Sequence, residues 1–187
     1  MKKRLLCFTM LLTVTISAIT FTNNVKAATK WNTSKSVTKE ENGIKYSAYL
    51  TEDGKESWIY QIKLSKKITK LTLPKEINQA KLTRVGFGKE LYNKGEDEDA
   101  YQNLFGDTIE PWHNCYGDLS NDDKNKQTIQ TVAIPGTVNQ LEIATFSGMK
   151  KLKSVVIPEQ TASVPAYTFA KCSALSKVTF SKNMNEI

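Results

Sequence analysis

The side chains that could carry chemistry are few, and most of them fall between residues 88 and 127. The one histidine, His113, stands close to Cys115. A Cys–His nucleophile needs the base at the sulfur and a third group to orient that base. Two residues so close in sequence serve that geometry poorly, and no second histidine exists to replace the first. Asp118, Ser120 and Asp122 alternate oxygen-bearing side chains as a calcium loop does, but the glycine and the distal glutamate of such a loop are missing. A hydrolase would need two carboxylates converging in a cleft, with Asp107 and Glu110 the candidates. The expectation is therefore no catalytic constellation, no metal and no cofactor.

Composition agrees with this reading. The chain has 187 residues, 40% hydrophobic and 24% charged, which suits one compact domain and excludes collagen-like or wholly disordered chains. The formal net charge of +7 suggests nucleic acid at first sight. Residues 1–27, however, hold Lys2, Lys3, Arg4 and Lys26 and no acid, which leaves the remainder at +3. Nucleic acid is not an expected partner, because no basic stripe remains to track phosphates.

Those first residues carry the pattern of a leader: Lys2-Lys3-Arg4, an apolar stretch from Leu5 to Phe21, then Val25-Lys26-Ala27. The stretch is 17 residues long, at the short edge of the ~17–25 that span a bilayer. A signal peptide over 1–27 is expected, with Ala28 the new N-terminus, a secreted or cell-surface location and no membrane span in the mature chain. The mature cysteines are then Cys115 and Cys172. A bond between them would close a long loop and is permitted outside the cell, but two cysteines make no disulfide framework, and the pairing stays open.

The second half repeats itself every 23 residues. Ile134-Pro135 returns as Ile157-Pro158 and Phe180-Ser181, Ile129 as Leu152 and Leu175, and Val132 as Val155 and Val178. Leu141 returns as Val164 and Ile187, Phe146 as Phe169, and Met149 as Cys172. Each turn supplies about eight apolar side chains worth ~1.5–3 kcal/mol apiece when covered. Against this stand ~1–2 kcal/mol of backbone entropy per residue, so no turn folds alone and stacked turns must cover one another. Residues 129–135, 152–158 and 175–181 alternate with period two and should be short parallel strands. Proline at 135 and 158 ends two of them. The Phe146 and Phe169 columns belong to return segments, expected as short helical or irregular turns.

These residues resemble the BspA-type bacterial leucine-rich repeat. Pro135, Val138, Leu141, Phe146, Met149 and Leu152 fit its pattern, as do Pro158, Val164, Phe169, Cys172 and Leu175. Thr161 departs from it at an apolar position, Met149 at the cysteine, and Glu142 and Pro165 at the usual glycine. The resemblance implies a β-rich solenoid, a leucine-rich repeat of 23-residue turns with short parallel strands, and adhesion to matrix proteins, mucosal glycoproteins or neighbouring cells.

A divergent earlier turn follows the same order through Ile68, Leu71, Leu73, Pro74, Ile77 and Val85-Gly86. Upstream, residues 44–49 and 58–64 are strand-like, with Asp53-Gly54 between them, and are expected as an antiparallel hairpin that caps the first turn. The domain reading is a leader over 1–27, a polar segment and hairpin cap over 28–66 with residues 28–40 mobile, and repeats over 67–187 with an acidic insertion at 88–127. The insertion holds ten acids against four lysines, a net of −6, while the rest of the mature chain is at +9. Asp97 to Phe105 is expected as one short helix. The insertion's aromatic residues, Trp112 and Tyr116 among them, serve either as a satellite core or as a binding loop.

Alternate strand residues should face solvent in three ranks: Thr69, Gln130, Lys153, Ser176; Lys70, Thr131, Ser154, Lys177; and Thr72, Ala133, Val156, Thr179. The candidate ligand-binding residues are Lys70, Gln130, Thr131, Lys153, Ser154, Val156, Lys177 and Thr179, with Trp112 and Tyr116. The expected function is an exported, non-catalytic binding or adhesion module for a host or neighbouring-cell protein or glycoprotein. The alternative is a recognition fragment of a larger surface protein that lacks its anchor or enzymatic segment. Because Ile187 falls partway round a turn, end-to-end self-association through an uncapped last turn is a further expectation.

Overall fold

The computed structural model describes residues 29–88, 101–102, 108–109 and 124–180. Three long antiparallel strands come first among the described residues: β1 (Trp31–Glu41), β2 (Ile44–Thr51) and β3 (Glu56–Leu64). Strand β2 buries Ile44, Tyr46 and Ala48 on one side and exposes Lys45 between them, the period-two pattern of a half-covered sheet. Short strands follow: β4 (Lys70–Thr72), β5 (Glu76–Ile77), β6 (Ala80–Val85), β7 (Tyr101–Gln102), β8 (Thr108–Ile109), β9 (Thr131–Ala133), β10 (Gln140–Leu141), β11 (Ser154–Val156) and β12 (Lys177–Thr179).

Two sheets organise ten of these strands, and β7 and β8 pair with each other in a third. One runs β1-β2-β3-β6-β10, with β5 paired to β6, and is antiparallel until β3 meets β6 in parallel. The other is wholly parallel, in the order β12-β11-β9-β4. Its register joins Leu71, Val132, Val155 and Val178 into one column. The last three are spaced by the 23-residue repeat. This is a β-rich repeat fold whose parallel-sheet strands are three residues each, shorter than the seven-residue segments expected.

The core lies between the sheets. Leu71, Ile129, Phe146, Met149 and Leu152 have no exposed surface, and Ile44, Ile59, Ile62 and Leu82 continue the same cluster under the N-terminal sheet. Burial declines in the last described turn, where Phe169, Leu175 and Val178 are only partly covered. Return segments are irregular turns, tied together because Ala144, Phe146 and Gly148 donate their N–H groups to the carbonyls of Ala166, Thr168 and Ala170 at 2.8–3.1 Å. The Phe146 and Phe169 rings stack at 5.9 Å along this spine.

Two sequence expectations change. The segment read as polar and mobile is strand β1 from Trp31 onward. Its residues are nearly all exposed, so no apolar alternation announced it. The missed signal was Asn42-Gly43, a two-residue hairpin turn with φ of 53° and 79° that pairs Glu41 with Ile44. The helix expected over Asp97–Phe105 is overturned at Tyr101–Gln102, which pairs antiparallel with Thr108–Ile109. Tyr, Thr and Ile prefer a pleated surface to a helix. The hairpin expected at the first turn does meet it, pairing β3 with β6, and β4 is left at the border of the parallel sheet. Residues 1–27, Asp107, Glu110, Trp112, His113, Cys115, Tyr116, Asp118, Ser120, Asp122 and Ile187 lie outside the described residues.

Candidate functional site

The parallel sheet fixes the outward side chains as firmly as the buried column. Lys70, Thr131, Ser154 and Lys177 stand opposite one another in one rank, and Thr72, Ala133, Val156 and Thr179 in the next. Neighbouring strands lie ~4.7–4.9 Å apart, so each rank presents a side chain at that interval. Lys70, Thr72, Lys177 and Thr179 are exposed, Thr131, Ser154 and Ala133 half-buried, and Val156 is 61% exposed. Gln130 and Lys153 stand just before β9 and β11, where the Lys153 N–H donates to the Gln130 carbonyl at 2.8 Å and the Ser176 N–H to the Lys153 carbonyl at 3.1 Å. The structure thus gathers Lys70, Gln130, Thr131, Lys153, Ser154, Val156, Lys177 and Thr179 on or beside one sheet.

Hydroxyl side chains also bond back by one turn, one of them buried and two exposed. Thr161 Oγ1 donates to the Val138 carbonyl at 2.9 Å, one turn back. Its hydroxyl replaces apolar contact with a satisfied hydrogen bond, which explains how threonine is tolerated there at 1% exposure. Ser173 and Ser176 hydroxyls donate in the same way to the carbonyls of Lys150 and Lys153. The Cys172 thiol is free and buried, donates to the Phe146 carbonyl at 3.2 Å, and is pushed up to about 11 by burial. A thiol held protonated in this way is a poor nucleophile.

The strongest electrostatic feature was missed from sequence. Arg84 is 5% exposed, and its Nε donates to Glu142 Oε1 at 2.6 Å. Its guanidinium lies 3.7 Å from the centre of the Trp58 ring, and the Gln140 amide donates to the same glutamate oxygen at 2.8 Å. This cluster joins β3, β6 and β10. Two signals were available: Arg84 is the one arginine after Arg4, and Glu142 replaces a glycine of the repeat pattern. Gly86 closes the junction, accepting from Trp58 Nε1 at 2.6 Å. It adopts φ of +113°, and a Cβ there would meet Thr145 Oγ1 and lie 2.7 Å from Glu142 Cβ. Lys126 is also fully buried, and burial, assisted by Lys150, lowers its pKa to about 8.

Residues 124–187 match the BspA type leucine rich repeat region (6 copies). This segment is a BspA-type leucine-rich repeat region. No curated protein matches the chain. Among solved structures, the chain is similar to a leucine rich cell surface protein from Faecalibacterium prausnitzii A2-165, at 14% identity and a TM-score of 0.29, over 79% of this chain and 44% of that one. The chain therefore spans less than half the length of that protein. Strand β4 precedes the matched repeat segment yet pairs with β9 inside it. Among the described residues, no helix is long and apolar enough to cross a membrane, and no group of histidine, cysteine and carboxylate side chains could hold a metal.

Proposed function

We propose that the chain is an exported, non-catalytic binding module whose repeat turns wind as a solenoid, and whose outward parallel-sheet face recognises an extracellular protein or glycoprotein. The carrying observation is the pair of in-register ranks, Lys70-Thr131-Ser154-Lys177 and Thr72-Ala133-Val156-Thr179. Small hydroxyl groups beside spaced lysines suit an extended, hydrated and acidic surface, and repeat folds commonly offer such faces to extended partners. The leader pattern of residues 1–27 supports export. The β1–β3 sheet serves as the N-terminal cap of the solenoid. Lysine attraction across an exposed face is weak singly and screened by salt, so recognition depends on several contacts at once.

The test is binding of the purified exported chain to immobilised matrix proteins and mucin glycoproteins. Saturable binding that weakens about tenfold or more in the Lys70→Glu/Lys153→Glu/Lys177→Glu variant, with its melting temperature unchanged, is the expected result. Equal binding by the variant would remove the face from the account.

A further inference from the structure

We infer that the groove beside β4 accepts an acidic, extended segment of a partner protein as an added β-strand; this deepens the binding reading above and rests on it. Strand β4 borders the parallel sheet, and among the described residues β9 is the strand that pairs with it. The Leu73 N–H donates to the Ala133 carbonyl at 3.0 Å, and the Thr69 carbonyl accepts from Gln130 and Thr131 at 2.7 and 3.2 Å. Residues 69 and 73 therefore point their backbone groups at β9. In a parallel ladder alternate residues point the opposite way, so Lys70 and Thr72 direct theirs to the far edge. The Thr72 carbonyl agrees with this, since it accepts from the Tyr46 hydroxyl at 3.1 Å on that side.

An open groove of about 930 Å³ runs along this edge, between β4 and the β1–β2 hairpin. Ile44 and Tyr46 give it an apolar side. Lys39, Lys66, Lys70 and Lys75 line it against Glu41 and Glu76, with Lys39 paired to Glu41 at 3.4 Å. The balance favours an acidic occupant. A polypeptide is favoured because Lys70 and Thr72 repeat their backbone groups every second residue, at the ~6.6–6.8 Å spacing with which an extended chain repeats its own. Strand addition draws affinity from such main-chain bonds and specificity from alternate side chains. Pro74 has no N–H to continue the row, so the added strand is short, like the three-residue strands of the sheet it joins.

The experiment uses labelled heptapeptides alternating Glu or Asp with Val, Thr or Tyr, titrated against the intact chain by fluorescence anisotropy at low salt. N-methylation at one parity of the peptide should weaken binding by about tenfold, the loss of one or two main-chain hydrogen bonds, while the other parity changes little. Lys66→Glu/Lys75→Glu should weaken the same peptides, and Lys153→Glu/Lys177→Glu should not. Absence of binding, indifference to N-methylation, or sensitivity only to the Lys153/Lys177 variant would overturn the groove assignment. The last outcome would leave the sheet-face reading standing. Loss of binding to the matrix and mucin panel without loss of peptide binding would instead count against that broader reading alone.

Discussion

The N-terminal sheet and the parallel ladder solve the same problem with different materials. Strands β1 to β3 are 11, 8 and 9 residues long. They are held by long antiparallel registers and an aromatic cluster, in which Trp58 meets Trp31 and Tyr49, each at 5.7 Å, and Tyr49 stacks on Tyr60 at 4.5 Å. The ladder strands β4, β9, β11 and β12 are three residues each and aliphatic inside. Each depends on its neighbours for cover. Cooperative damage should therefore spread along the ladder and stay local in the sheet, where the Arg84 junction ties β10 to β3 and β6.

That junction carries the largest expected effect. Glu142→Ala removes the carboxylate that the buried guanidinium holds at 2.6 Å and should cost about 3–5 kcal/mol, read by urea denaturation. Arg84→Met/Glu142→Leu should recover most of the loss, because the pair's charge is removed together. Failure to recover would mean that the pair itself, beyond mutual neutralisation, holds β10 to β6.

Next, Leu152→Ala should cost about 2–5 kcal/mol through lost burial and a residual cavity. Hydrogen exchange should then rise at 131–133 and 177–179 together, since stacked turns share their interfaces. Ile62→Ala, a comparable loss in the N-terminal sheet, should leave exchange at 177–179 unchanged. If both variants loosen β12 equally, the two regions are one cooperative unit and the contrast fails.

A smaller effect depends on pH. The Lys126 pKa is lowered to about 8 in the fold, so the unfolded chain binds the proton more tightly and stability rises as pH climbs from about 8 towards the ordinary lysine value. Lys126→Met lacks this titration. The stability difference between variant and parent should therefore narrow by up to about 3 kcal/mol across that range. Comparing the two chains is necessary because Cys172 and Tyr46, raised to about 11 and about 12 by burial, act in the opposite sense. Their unfolded forms lose protons first, so stability falls as the solution becomes more alkaline. The smallest effect belongs to Thr161→Val, which removes the donor to the Val138 carbonyl and should cost about 1 kcal/mol in thermal or urea melts.

Legibility in the sequence followed the same division. Period and register of the ladder could be read because each column repeats its residue type at 23-residue intervals, and Val132, Val155 and Val178 pair as that spacing requires. Strand β1 was not legible from alternation, since among its Asn, Thr, Ser, Lys and Glu residues only Trp31 and Val37 are apolar, six positions apart. Only its Asn42-Gly43 turn marked it. Glu142 read as a departure from the pattern, although its partner lies 58 residues away, a distance at which one sequence offers no pairing signal. Two of the three expected ranks, Lys70-Thr131-Ser154-Lys177 and Thr72-Ala133-Val156-Thr179, fall in register across the ladder. Residue type alone named no partner, because threonine, serine and lysine on a sheet suit water as well as a ligand.

The most direct test of the binding face is lysine acetylation footprinting of the intact chain, with and without a bound matrix or mucin partner. The account predicts protection of Lys70, Lys153 and Lys177 on partner binding, with Lys45, Lys55 and Lys63 of the N-terminal sheet reacting as before. Protection confined to the N-terminal sheet lysines, with Lys153 and Lys177 fully reactive in the complex, would contradict it.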